Sequence, residues 1–128
     1  ESGHATGLFE RWFPHIWWRL GIPRRGLRVS LRTPICDLFG IDYPIFLAGM
    51  GQVAYAEVCA AVSEAGGFGT LGMVGAPPER IRAEMRAVRK LTDKPFGVDL
   101  LAALPEQMMA AIDVIIDEGA AAFIAGLG

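Results

Sequence analysis

Residues 95–125 read PFGVDLLAALPEQMMAAIDVIIDEGAAAFIA, which is an apolar run, a helical pattern and a second apolar run in succession. The runs at 95–101 and 120–125 have the length and composition of buried strands. Pro105 suits the first turn of the intervening helix, and Gly119 suits its end. Because short apolar strands joined by a helix are typical of parallel sheets, this stretch predicts a strand–helix–strand unit.

The same alternation extends upstream to Tyr43, with apolar runs that begin near residues 44, 68, 95 and 120. This order predicts an α/β fold in which helices cover a parallel sheet. An open doubly wound sheet and the N-terminal half of a (β/α)8 barrel both fit, since residues 33–128 supply about four strands. The predicted inward stripes of the last two helices are Ile81, Met85, Val88 and Leu91, and Met108, Met109, Ile112, Ile115 and Ile116.

The composition of the 128 residues excludes several classes of protein. With 52% hydrophobic residues the chain is too apolar to be disordered, and its 12 basic and 14 acidic residues give no sign of nucleic-acid binding. The longest uncharged windows have 14 residues. A membrane span needs about 20 apolar residues, so we predict no transmembrane segment.

Charge and aromatic content change after residue 32. Residues 1–32 hold six Arg and two Glu, all three Trp and both His, whereas residues 33–128 carry a net charge of −6. We therefore predict a basic aromatic leader over 1–32, outside the fold, and a core domain over 33–128. The alternatives to an incidental leader are a membrane-surface helix, a partner-binding helix and a transit peptide, because one apolar helical stripe contains Phe9, Trp12, Phe13, Ile16, Trp17 and Leu20.

The two cysteines and the missing histidines limit the chemistry of the core. Cys36 and Cys59 form no CxxC motif, and a zinc site needs more ligands at closer spacing. We predict buried, reduced thiols, no metal site and a cytoplasmic protein. Residues 33–128 contain no His, so a carboxylate with a raised pKa is the available general base there.

Two features near the predicted strand ends indicate a binding site. Ala48–Gly51 follows the first strand, at the end of the sheet that carries the binding site in parallel α/β folds. Its small residues let a planar ligand approach the backbone, and Met50 offers a polarizable surface. Asp99 is a lone carboxylate in an apolar strand, so it needs a partner or a ligand. Gly67–Gly72 also matches GxGxxG, but a helix precedes it, and we interpret these glycines as packing residues.

Several segments resemble, in order, the start of the nitronate monooxygenase family, formerly called 2-nitropropane dioxygenases. The resemblance implies a (β/α)8 TIM barrel with FMN at the C-terminal face of its strands. It also implies oxidation of an alkyl nitronate by the flavin and O₂ to a carbonyl compound and nitrite. The flavin-dependent enoyl-acyl-carrier-protein reductases are similar over the same stretch and are the second candidate. The matching segments are Arg32–Ile45, Ala48–Gly51, Ala60–Gly69, Pro77–Ile81, Leu91–Val98 and Glu118-Gly119.

The resemblance further implies roles for four residues. Ala48, Gly49 and Met50 would pack against the isoalloxazine ring, and Asp99 stands where many family members have an FMN-contacting Asn. The family's catalytic His and its Gly-rich phosphate-binding segments would lie beyond residue 128. We therefore expect a fragment that has no catalytic residue of its own and is inactive alone. A non-catalytic half-barrel that self-associates through exposed edges is the remaining alternative.

Overall fold

The computed structural model describes residues 30–126, so nearly all of the predicted leader at 1–32 lies outside the described residues. Helices and strands alternate from α2 to β3, as predicted. No helix of the described part is long and apolar enough to cross a membrane. The described elements are α1 (Pro34–Phe39), α2 (Ala56–Glu64), β1 (Gly69–Gly72), α3 (Pro78–Leu91), β2 (Phe96–Leu101), α4 (Pro105–Asp117) and β3 (Ala122–Gly126).

The three strands form one parallel sheet in the order β1-β2-β3. Asp99 in the central strand is in register with Gly72 on one side and Ile124 on the other. Helices α2, α3 and α4 all pack on the same face of the sheet, as in a barrel, whereas a doubly wound sheet carries helices on both faces. The residues buried in this layer include Cys59, Leu71, Ile81, Met85, Val88, Phe96, Val98, Leu100, Ala111 and Ile115.

The first predicted strand, Pro44–Ala48, is not a full strand. It pairs with the sheet at one parallel bridge, between Phe46 and Phe68. Backbone hydrogen bonds of 2.8 and 2.9 Å flank this bridge. Pro44 has no N–H with which to extend the ladder. On the other side the chain enters a turn at Met50, whose carbonyl accepts the next backbone hydrogen bonds.

Helix α1 was not predicted. It has Pro34 in its first turn, where the missing N–H costs nothing, and it ends at Gly40, whose φ of 66° is left-handed. Its buried Cys36 packs with Ile41 and Phe68, on the face of the sheet opposite to α2, α3 and α4. Six residues are too few for a periodic pattern, so only the flanking Pro and Gly indicate this helix.

The predicted stripes of α3 and α4 are buried in part. The members that are fully or almost fully buried are Ile81, Met85, Val88 and Ile115. The prediction is wrong for Leu91, Met109 and Ile116, which are 54%, 62% and 70% exposed. No described element covers these positions, because Leu91 ends α3 and the other two lie on an open side of α4.

The arginines of α3 were predicted to be merely solvated, and this is wrong. Arg82 and Arg86 both form ion pairs with Glu118, the residue that follows α4. The guanidinium carbon of Arg89 lies 4.5 Å from the centre of the Phe96 ring. These contacts connect α3 to the end of α4 and to the start of β2.

Both described cysteines are free and buried, which confirms the prediction of buried thiols. Burial raises the pKa of the Cys59 thiol to about 12, so this thiol stays protonated and unreactive at neutral pH. Within residues 30–126, no group of three His, Cys, Asp or Glu side chains is arranged to hold a metal ion.

Candidate functional site

The segment Ala48–Gly51 lies against the C-terminal end of the sheet. A Cβ atom placed on Gly72, the last residue of β1, would lie 2.6 Å from the carbonyl carbon of Met50. Only glycine leaves room for this approach, so the loop rests on the strand backbone without a side chain in between. Ala48 is exposed and the Met50 side chain is 43% exposed, so both are accessible to a ligand.

Asp99 lies between two glycines of neighbouring segments. A Cβ on Gly49 would overlap the Asp99 side chain, and a Cβ on Gly126 would lie 3.0 Å from Asp99 Oδ1. Because side chains alternate along a strand and Val98 and Leu100 face the helices, the Asp99 carboxyl lies on the opposite, inner face. Two of the predicted site residues, Gly49 and Asp99, are therefore brought into contact.

The carboxyl of Asp99 is half-buried, and its Oδ1 atom is buried without a hydrogen-bond partner among the described residues. Burial raises the pKa of Asp99 above its usual value, and the nearby Gly126 N–H opposes part of this rise. An unsatisfied buried polar atom costs about 1–3 kcal/mol. A ligand that hydrogen-bonds to Oδ1 would recover this cost, so Asp99 is a candidate ligand-binding residue.

The glycines of Gly67–Gly72 act in packing, which confirms the interpretation of the GxGxxG match. A Cβ on Gly67 would lie 2.9 Å from the carbonyl oxygen of Ile45, and a Cβ on Gly69 would overlap the carbonyl of Cys59. The segment runs through β1 rather than into the N-terminus of a helix. It therefore lacks the geometry that binds a pyrophosphate.

A cavity of about 370 Å³ opens beside the same loop and was not predicted. It is lined by Gly51, Gln52 and Tyr55, by residues 72–77 and by Arg80. The guanidinium carbon of Arg80 lies 5.1 Å from the centre of the Tyr55 ring. Gln52 has a φ of 68°, a left-handed conformation that is uncommon for a residue with a side chain. Sequence spacing gives no signal that Arg80 and this loop meet.

A glycine-rich loop and an inner-face carboxylate at the C-terminal end of a parallel sheet define the ligand-binding end of a barrel enzyme. The family model for nitronate monooxygenase matches residues 32–123. The chain belongs to this family, which is one of flavin-dependent oxidoreductases. The predicted family resemblance is thereby confirmed.

Curated relatives carry two kinds of name. A nitronate monooxygenase of Pseudomonas aeruginosa is 47% identical over 70 residues, which cover 55% of this chain and 20% of the relative. A (3aS,4S,5R,7aS)-5-hydroxy-7a-methyl-1-oxo-octahydro-1H-indene-4-carboxyl-CoA dehydrogenase of Mycobacterium tuberculosis is 42% identical over 74 residues, covering 58% and 21%. The chain thus spans about a fifth of the length of the curated relatives it matches.

Solved structures confirm the fold. FabK from Thermotoga maritima matches 70% of this chain and 28% of its own, with a TM-score of 0.66 and 37% identity. Nitroalkane oxidase from Streptomyces ansochromogenes matches 69% of this chain and 34% of its own, with a TM-score of 0.57 and 27% identity. FabK is a flavin-dependent TIM barrel, so the predicted half of a (β/α)8 barrel is confirmed and the doubly wound alternative is wrong.

The described residues fit contact with a flavin ring. Asp99 Oδ1 is buried without a partner, which suits it to the polar edge of a ring system. Gly49 and Gly126 place no side chains beside that carboxyl, so a flat group is not excluded by them. The exposed methyl of Ala48 and thioether of Met50 offer apolar surface on the same loop.

Proposed function

We propose that the whole protein to which this chain belongs is an FMN-dependent monooxygenase that oxidises alkyl nitronates with O₂ to a carbonyl compound and nitrite. Family membership supports this proposal, as does the 47% identity with a nitronate monooxygenase. The observation that carries it is the buried, unpartnered Oδ1 of Asp99 in contact with Gly49 at the ligand-binding end of the sheet.

In this proposal Ala48, Gly49 and Met50 pack against the isoalloxazine ring, and Asp99 hydrogen-bonds to its polar edge. FMN, when bound, supplies the electron transfer between the nitronate and O₂. A neutral Asp99 can donate a hydrogen bond, whereas the ionised form only accepts. The raised pKa of Asp99 favours the neutral form, which also avoids placing a negative charge beside an electron-rich ring.

The proposal is tested on the whole protein after loading with FMN and desalting. Retained flavin absorbance and nitrite release from a small alkyl nitronate are measured. Asp99→Asn is expected to raise the flavin reduction potential because it removes the ionisable carboxylate. Asp113→Asn, which alters an exposed carboxylate on α4, serves as the control. An unchanged or lowered potential would contradict the role of Asp99, and flavin-loaded protein without nitrite release would contradict the reaction.

Reduction of an enoyl thioester is the second candidate. It is favoured by the structural match, because FabK has both the higher TM-score and the higher identity of the two solved structures compared above. The same flavin-loaded protein distinguishes the two reactions. An enoyl-acyl-carrier-protein reductase would reduce an enoyl thioester and release no nitrite from a nitronate.

We also propose a cytoplasmic location and self-association of this chain. The free, buried Cys36 and Cys59 support a reducing compartment. The exposed apolar side chains of Met109, Ile116 and Phe123 support association between copies. Sedimentation equilibrium of the chain tests the second point, since a mass that stays monomeric at all concentrations would contradict it.

A further inference from the structure

The cavity beside the loop, here called the Arg80 cavity, carries a positive charge that the described residues do not neutralise. Its lining contains no Asp or Glu. The ion pairs among the described residues involve Arg32, Arg82 and Arg86, and none involves Arg80. Glu84, one turn further along α3, is occupied by a hydrogen bond of 3.1 Å from the Ala56 N–H. Contact with the Tyr55 ring holds the guanidinium in place while leaving its N–H groups to other acceptors.

Backbone donors line the same cavity. The N–H groups of Gly51, Gln52, Val74 and Gly75 donate to no acceptor among the described residues. All four residues contribute to the lining. They come from two loops, one on either side of the end of β1. A guanidinium combined with free backbone N–H groups is the donor set that proteins use for anions.

We propose that the Arg80 cavity binds an oxyanion, the phosphate or carboxylate group of a ligand. Arg80 is its counter-ion, and the amides of Gly51, Gln52, Val74 and Gly75 are its hydrogen-bond donors. The volume of about 370 Å³ lies in the range of small-molecule sites, about 300–1,000 Å³.

The Arg80 cavity also adjoins the residues proposed to contact FMN. Gly72 lines the cavity and lies against the backbone of Met50. An anionic group held by Arg80 would therefore anchor its ligand beside the loop Ala48–Gly51. The site uses residues other than Asp99 and needs no FMN, so it stands or falls independently of the proposed reaction.

The test is an NMR titration of the ¹⁵N-labelled chain with inorganic phosphate and, separately, with sodium acetate, each at constant ionic strength set by chloride. Saturable shifts are expected at the amides of Gly51, Gln52, Val74 and Gly75. The stronger of the two responses identifies the anionic group. Arg80→Met is expected to weaken the apparent affinity at least about tenfold, since charged hydrogen bonds are lost.

Two further variants control the experiment. Lys90→Met removes one exposed positive charge from the same helix and is expected to leave the titration unchanged. Arg80→Lys keeps the charge but loses the planar fork, so an intermediate affinity is expected. A chain without saturable shifts would overturn the proposal. Shifts that are equal in Arg80→Met, or that chloride alone reproduces, would overturn it as well.

Discussion

Gly49 and Asp99 are in such close contact that a methyl group at position 49 would overlap the Asp99 carboxyl. Gly49 belongs to the loop after the first bridge, and Asp99 belongs to the central strand. A segment that contributes one bridge to the sheet is thereby packed against the residue at its centre. The absence of a side chain at position 49 is a condition for this site, since any Cβ would displace either the loop or the carboxyl.

Gly49→Ala is expected to destabilise the protein by about 1–3 kcal/mol, the usual cost of overpacking. Urea unfolding measures the change. Gly51→Ala is the matched control, because a Cβ at Gly51 meets no atom within 4 Å. In the double variant with Asp99→Gly the cost should be less than the sum of the two single changes. Additive costs would show that the two residues do not interact.

Asp99→Asn is expected to raise the free energy of unfolding at neutral pH by about 1 kcal/mol, the low end of the cost of an unsatisfied buried polar atom. Burial raises the pKa of Asp99 in the folded state, so the wild-type protein loses stability as the pH rises through that value. The advantage of the variant should shrink as the pH falls and the carboxyl becomes protonated. Urea unfolding from acid to neutral pH checks this, with Asp113→Asn as control; a pH-independent difference would refute it.

Ser63→Ala is expected to destabilise the protein by about 1–3 kcal/mol. The buried Ser63 hydroxyl donates to the Pro95 carbonyl at 2.9 Å and accepts from the Gly69 N–H at 3.1 Å. Both backbone groups lose this partner in the variant. Ser63→Cys has a similar shape but weaker hydrogen bonds, so it should give an intermediate loss in thermal unfolding. A loss as small as that of a typical surface substitution would contradict the bridging role.

Glu118→Gln is expected to lower the thermal midpoint by a few degrees at neutral pH. Hydrogen bonds from Arg86 and from Arg82 lower the pKa of Glu118 against the opposing effect of burial. The stabilisation is therefore present above the ordinary pKa of a Glu and is lost as the pH falls through the lowered value. Calorimetry at several pH values measures this, and Asp117→Asn tests the longer contact of 3.7 Å with Arg82. A difference that persists in strong acid would argue against an ionic origin.

The residues that sequence analysis found best are those whose character conflicts with their surroundings. Asp99 is a charge in an apolar strand, and burial makes such a residue conspicuous without any tertiary information. Strands and helices with strong patterns, such as β2 and α4, are also predictable for the same local reason. Pro44–Ala48 has the composition of a strand, but pairing depends on neighbours that the segment itself does not encode.

Other features arise from the tertiary structure alone. Arg80 and Gln52 are 28 positions apart, and no local pattern indicates that they line one cavity. Met109 and Ile116 follow the helical period yet remain exposed, because periodicity shows that a face is apolar but not whether another element covers it. Glu118 likewise shows its ion pairs with Arg82 and Arg86 only after α3 and α4 are packed side by side.

The contact between Gly72 and the Met50 backbone separates the position of the loop from the identity of its side chains. Because main chain rests on main chain, the height of the loop above the sheet is set by atoms that every residue type shares. The side chains at positions 48, 50 and 52 project from this fixed frame and are exposed. Substitutions there can change which ligand is preferred while the frame stays in place. Relatives with one barrel can thus diverge in substrate at these three positions and keep the glycine beneath them.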